Sequence, residues 1–129
     1  MTIETELRAR LAADGAVAAL VSTRIYPLVL PQNPTLPAVT FSRVSGLRLH
    51  DIAGAAGRGM PRISFSSWAE TYTGAQTLAA AVRASLNGFI GVLATISAVV
   101  RLENEIDLYE DETFVYRILQ DYIINHTEA

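Results

Sequence analysis

Hydrophobic positions in this chain change their period several times, and each change marks an element. Ile3, Leu7 and Leu11 recur every four residues, with Glu4 and Glu6 where the dipole of a helix first turn favours acids. That spacing predicts an N-terminal helix, interrupted at Gly15 and followed by one more short helical turn in "AVAALV". Four prolines between Pro27 and Pro37 forbid a regular helix or a central strand. The segment is expected to run extended, with brief pairing around residues 25–30. "AVTFSRVSG" then alternates, Val39 and Phe41 on one face and Thr40 and Ser42 on the other, and "RISFSSWA" does the same through Ile63 and Phe65. These two runs pair most simply as an antiparallel hairpin with residues 46–60, "GLRLHDIAGAAGRGM", as its tip. A hairpin loop ordinarily needs about two to five residues, so this tip calls for an explanation.

The second half carries the clearest helix, about residues 73–87. Thr73 and Gln76 form a capping box, Leu78, Val82 and Leu86 form a stripe, and Asn87-Gly88 is a stop signal. Val92, Ala94, Ile96, Ala98, Val100 and Leu102 alternate as one strand. "ENEIDLYEDET" reads as an acidic turn into a last strand over residues 114–125. That strand is apolar on both faces. Phe114, Tyr116, Ile118, Tyr122 and Ile124 share one, and Val115, Leu119 and Ile123 share the other with Arg117 and Asp121. Such a strand is either central between two layers or covered by a neighbouring subunit. The expected fold is α+β: one domain over residues 1–129, with a small antiparallel or mixed sheet, the two helices on one face and a long β-hairpin loop.

Composition narrows the function. Half of the 129 residues are hydrophobic and 18% are charged, which describes a globular chain with apolar surface to spare for other subunits. No apolar run reaches the roughly 18 residues that would span a bilayer, and no basic start leads into an apolar stretch, so neither membrane nor signal peptide is expected. The absence of cysteine excludes disulfides, thiolate metal sites and cysteine nucleophiles. The net charge of −3 is unevenly spread: residues 1–67 hold seven arginines against four acids, residues 68–129 three against nine. Such a split suits either a solvated surface or two faces that meet.

Candidate chemistry is sparse. The chain has no G-x-S-x-G, P-loop, dinucleotide fingerprint or H-E-x-x-H. His50 and Asp51 are adjacent in the glycine-rich loop, with no nucleophile nearby to activate, and are not read as catalytic. The acids Glu103, Glu105, Asp107, Glu110, Asp111 and Glu112 lack the spacing of a calcium loop and read as a solvated turn. No catalytic residue, metal or cofactor is therefore expected. Trp68 and Tyr72 read as core packing. Arg43, Arg48, Arg58 and Arg62 gather around the loop, thin as a nucleic-acid patch on one chain but repeated in any symmetric ring.

Three segments carry a family resemblance. "TRIYPLVLPQNPTLPAVTFSRVSG" is an arginine-aromatic-proline segment followed by a leucine-proline step into a strand ending in serine-glycine. "ISFSSWAETYTGAQTLAAAVRASLNGF" is a strand–tryptophan–alanine–helix unit, and "ENEIDLYEDETFVYRILQDYII" is an acidic, tyrosine-bearing turn before a long strand. In this order they resemble the tail completion or tail terminator family of long-tailed bacteriophages and phage-derived gene transfer agents. The resemblance implies a structural particle protein assembled in a bacterial cytoplasm: a homo-oligomeric ring, most simply a hexamer, at the tail–head junction. Such a ring caps the tube of the major tail protein, stops its polymerisation and joins the head–tail connector or stopper protein, with a channel for DNA. It places Arg48, His50, Asp51 and Arg58 on a pore or ring-contact loop. It makes Val115, Arg117, Leu119, Asp121 and Ile123 subunit-interface candidates, and Glu105, Asp107, Glu110, Asp111 and Glu112 an acidic partner-facing turn. Two other classes stay open from the residues alone: a dimeric α+β domain binding a small ligand on its open sheet, and a small enzyme using His50. Particle size separates the three.

Overall fold

The stripe of Ile3, Leu7 and Leu11 builds α1 (Ile3–Ala13) and is buried along its whole length. In the computed structural model the described residues are 3–22, 24–32, 35–45, 48–51, 54–59, 61–93, 96–110 and 115–127. Asp14 ends α1 and caps α2 (Gly15–Val21), its carboxylate accepting from the Ala16 and Val17 amides. The proline-rich segment contributes β1 (Ile25–Pro27), parallel to β2 (Ala38–Ser45). β3 (Arg48–Asp51) and β4 (Gly54–Gly59) pair with each other, and β5 (Arg62–Ala69) returns along β2. After α3 (Tyr72–Leu86) come β6 (Ile90–Leu93), β7 (Ile96–Glu110) and β8 (Val115–Thr127). Across the sheet the order is β1-β2-β5-β8-β7-β6, with every pairing but the first antiparallel. The fold is α+β, as the periodicities predict.

All three helices pack on one face of the sheet. Leu78, Val82 and Leu86 of α3 meet Phe65, Tyr122 and Ile124 in one core with the α1 stripe. Burying each such side chain stabilises by about 1.5–3 kcal/mol. The cap of α3 is Thr71, whose side chain accepts from the Gly74 amide, so the Thr73–Gln76 capping box is two residues out of place. Gly74 is required there, because a Cβ would lie 2.9 Å from Thr71 Oγ1. The predicted stop holds: Asn87 Oδ1 accepts from the Leu102 amide, and Gly88, at φ +80°, donates to the Val100 carbonyl. The end of α3 is thereby clipped to β7.

Three expectations about the sheet are corrected. The run read as one strand from Val92 to Leu102 is a hairpin, since Leu93 pairs with Ile96. Only residues 94–95, which lie outside the described residues, separate the two strands; "AT" carries no turn signal. Second, "ENEIDLYE" is strand rather than turn: β7 runs on to Glu110, which pairs with Val115. A register shift between Leu102 and Asn104 reverses the alternation. Before it Ala98, Val100 and Leu102 face the helices; after it Glu105, Asp107 and Tyr109 do. Third, Trp68 lies on the opposite face from the core. Its indole N–H donates to Thr40 Oγ1 at 2.9 Å, and the Arg117 guanidinium sits 5.0 Å from its ring.

A buried polar chain fixes α3 to the centre of the sheet. Gln120, fully buried on β8, donates to the Ala79 carbonyl at 3.1 Å and accepts from the Tyr122 hydroxyl at 3.1 Å. Burial holds the Tyr122 hydroxyl well above its ordinary pKa of 10.0. The folded state therefore keeps this proton where the unfolded chain releases it. The stability tied to it is complete below pH 10 and is lost as pH rises towards the folded pKa. Above pH 10 the unfolding free energy is expected to fall about 1.4 kcal/mol more per pH unit in the wild type than in Tyr122→Phe. Denaturant titrations between pH 9 and 11 check this, and equal slopes would mean that the hydroxyl ionises freely in the fold.

Candidate interaction surfaces

The face of the sheet away from the helices has no second layer among the described residues. Its centre is β8, paired along β5 on one side and β7 on the other. The register puts Val115, Arg117, Leu119, Asp121 and Ile123 on this one face, all half-buried. Leu119 lies between Ser66 and Ile106, and Ile123 between Arg62 and Arg101. Asp121 accepts from Ser64 Oγ and lies 3.7 Å from Arg62, while Arg101 pairs with Glu103 at 2.9 Å. Beside these, Ile106 and Val99 expose large apolar surface. The small Ser64 and Ser66 are buried beneath their neighbours, and along β8 the apolar Leu119 and Ile123 alternate with Arg117 and Asp121.

The described residues of the long tip, 48–51 and 54–59, are strand. β3 and β4 extend the β2–β5 hairpin, and β4 keeps the register of β5 against β8: Arg62 opposes Ile123, and Gly59 opposes His126. Arg58 opposes Thr127, and residues 54–57 run on past that last described partner, with β3 beside them, by about 13 Å. Of the loop residues singled out in the sequence, Arg48, His50 and Asp51 lie on β3 and Arg58 on β4. The hairpin brings His50 opposite Ala55 and Asp51 opposite Gly54.

The acidic group is divided. The reversed alternation of β7 turns Glu105 and Asp107 towards α3, where Glu105 pairs with Arg83 at 3.1 Å and Asp107 accepts from the Tyr72 hydroxyl at 2.5 Å. That hydrogen bond holds the Tyr72 hydroxyl above its ordinary pKa. Tyr72 also packs against Tyr116, which packs against Tyr109, with centroids 5.9 and 4.8 Å apart. Glu105 and Asp107 thus tie helix to strand within the subunit. Glu110 closes β7, and Asp111 and Glu112 lie outside the described residues. Among the described residues no three His, Asp or Glu side chains converge as a metal site, and no helix is long and apolar enough to cross a membrane.

Two apolar features escape a periodicity reading. Leu28 has φ +66°, a conformation costing a leucine on the order of 1–3 kcal/mol, and its amide donates to the Phe41 carbonyl. The Val29 amide turns back to the Pro27 carbonyl at 2.8 Å. At the other edge of the sheet Ile90 and Val92 of β6 are exposed. The signal was present in "PLVLP", an apolar run between prolines that cannot join a core strand.

Glu105, Asp107, Tyr72 and Tyr116 are thus committed to the subunit's own frame, beside a bare sheet face and the β3–β4 hairpin. The family described as Tail completion protein gp17 matches residues 5–127, and the chain belongs to that family. It is accordingly a structural component of a phage-type tail, located in the virion. No curated protein matches the chain. Among solved structures it is similar to a chain in the virion of a native gene transfer agent particle. The two share 21% identity with a TM-score of 0.82, over 97% of this chain and 94% of that one. The order of helices and strands is therefore shared along essentially the whole length.

Proposed function

We propose that the chain forms a homo-oligomeric ring of six subunits that caps the tail tube, ends its polymerisation and joins it to the head connector or stopper protein, leaving a channel for DNA. The observation that carries this reading is the bare face of β8. Its apolar residues, Leu119 and Ile123 with Ile106 alongside, have no covering layer from their own chain among the described residues. A neighbouring subunit covers it. The β3–β4 hairpin supports the same reading, because it extends beyond the sheet towards the ring axis or the next ring. Arg48 and Arg58 recur around the axis and meet DNA phosphates or an acidic partner surface. Glu110, the last residue of β7, faces a partner together with the acids that follow it in the sequence, Asp111 and Glu112. The role is structural, and no catalytic step, metal or cofactor enters it.

Light scattering of the purified chain at micromolar concentration, with electron microscopy of the chain alone and mixed with tail tubes, tests the reading. A six-subunit mass and rings seated on tube ends are expected. A stable monomer that also fails to form rings on tube ends would sink it, and a stable dimer would favour a ligand-binding domain instead.

A further inference from the structure

The two outermost strands of the sheet differ in shape. On the β1 edge the chain turns sharply at Leu28, and Leu28 and Val29 stand 71% and 73% exposed between Pro27 and Pro31. They form a convex apolar knuckle. On the opposite edge β6 pairs, among the described residues, with β7 alone, and Ile90 and Val92 are 76% and 62% exposed. There the hairpin forms a groove of about 410 Å³, whose lining includes Ile90, Val92, Ala98 and Val99. Among the described residues no carboxylate or guanidinium lines the groove, whose polar lining is Ser97, Asn125 and His126, and no charged residue stands between residues 25 and 32 of the sequence.

We propose that the knuckle of one copy seats in the β6–β7 groove of the next, as the head-to-tail contact of the ring. This rests on the ring reading above and names the two edges that join its subunits. Three observations favour a second copy as the occupant. The knuckle offers Leu28 and Val29, and the groove offers Ile90, Val92, Ala98 and Val99 with neither a carboxylate nor a guanidinium among its described lining residues, so each suits the other. They lie at opposite edges of one sheet, the placement from which a repeated heterologous contact turns into a closed ring. An unrelated partner would cover one edge and leave the other in water, whereas a second copy covers both. The conformation of Leu28 points the same way. A leucine at φ +66° gains nothing from its own core when it is this exposed, and a contact with another subunit offsets the strain. Natural edge strands are usually blunted by charge, and β6 is not; cover by a neighbour serves the same end.

The experiment uses the full chain and two variants, Val29→Glu on the knuckle and Val92→Glu in the groove, each checked for an unchanged circular dichroism spectrum. Both sites are exposed, so both variants are expected to fold. The wild type is expected to run as a ring, and each variant alone as a monomer. An equimolar mixture is expected to give a 1:1 heterodimer, because the intact knuckle of Val92→Glu still meets the intact groove of Val29→Glu, the β8 face being covered within that same joint, and the altered groove and knuckle left at its two ends stop further growth. Rings that survive both substitutions, or self-dimers of a single variant, overturn the contact while leaving the ring intact as a reading. A wild-type chain that is monomeric both alone and on tube ends overturns the ring and this contact together. Leu28→Asn, which accepts the positive φ more readily, separates assembly from folding. It is expected to lose rings while its monomer melts no lower than that of Val29→Glu. A clearly lower melting midpoint would place Leu28 in the subunit's own core and overturn the proposal.

Discussion

Replacing Gln120 by alanine is expected to cost the subunit about 3 kcal/mol, even though the residue is polar and touches no partner. Its side chain is fully buried at the centre of the sheet. It links the Ala79 carbonyl of α3 to the Tyr122 hydroxyl of the next inward position on β8. Removal leaves that hydroxyl without its acceptor at a cost of about 1–3 kcal/mol, and leaves a cavity that adds to it. The Ala79 carbonyl still has its place in the helix ladder, so the loss falls mainly on Tyr122 and on packing. For a chain of this size the melting midpoint should drop by about 10 °C. Thermal and denaturant unfolding measure it. Gln120→Leu combined with Tyr122→Phe should cost less than the two single changes added, because the pair is then replaced by apolar groups together. Additive losses, or a cost of Gln120→Ala below about 1 kcal/mol, would show that the two side chains are not energetically linked.

Gln120 also shows where a sequence stops being readable. It lies in phase with Ile118 and Tyr122, yet a polar residue in an apolar phase gives no hint of its partner until α3 is set against the sheet. The elements that were legible were those with a long, clean period: the α1 stripe, the Leu78–Val82–Leu86 stripe of α3 and the inward face of β8. Local chemistry was less secure. The capping box picks Thr73 from the sequence, whereas the Gly74 amide donates to Thr71. The division of the run between Leu93 and Ile96 was invisible, since the alanine and threonine between them suit a strand by composition. The extension of β7 through "ENEIDLYE" was hidden because acids read as solvent-facing loop, whereas Glu105 and Asp107 are held by Arg83 and Tyr72. Of the surfaces, the two-faced β8 was legible because alternation alone assigns its faces. The groove beside β6 was not, since it exists only once one apolar run is divided into two strands.

Leu119→Glu is expected to abolish ring formation while leaving the subunit folded. Leu119 sits at the middle of the bare face, opposite Ile106 on β7 and Ser66 on β5, and it is half-buried by its own chain. In the isolated subunit a glutamate there can turn its carboxylate to water, so its cost to folding should stay within about 1 kcal/mol. Under a neighbouring subunit the same carboxylate loses its water; of the nearest charges Asp121 repels it and is engaged with Arg62 and Ser64, and the Arg117 guanidinium is held over the Trp68 ring, from which it would have to move to pair with a glutamate. An uncompensated buried charge costs about 3–5 kcal/mol. That weakens each subunit contact by roughly two to nearly four powers of ten, and a ring repeats the penalty at every joint. Leu119→Met keeps the volume without the charge and should assemble nearly as the wild type does. Light scattering gives the mass, and thermal melting shows whether the fold persists. Rings of Leu119→Glu with wild-type stability would mean that water or a different partner, rather than a sister subunit, meets this face. A large fall in melting temperature would instead make Leu119 part of the subunit's own packing.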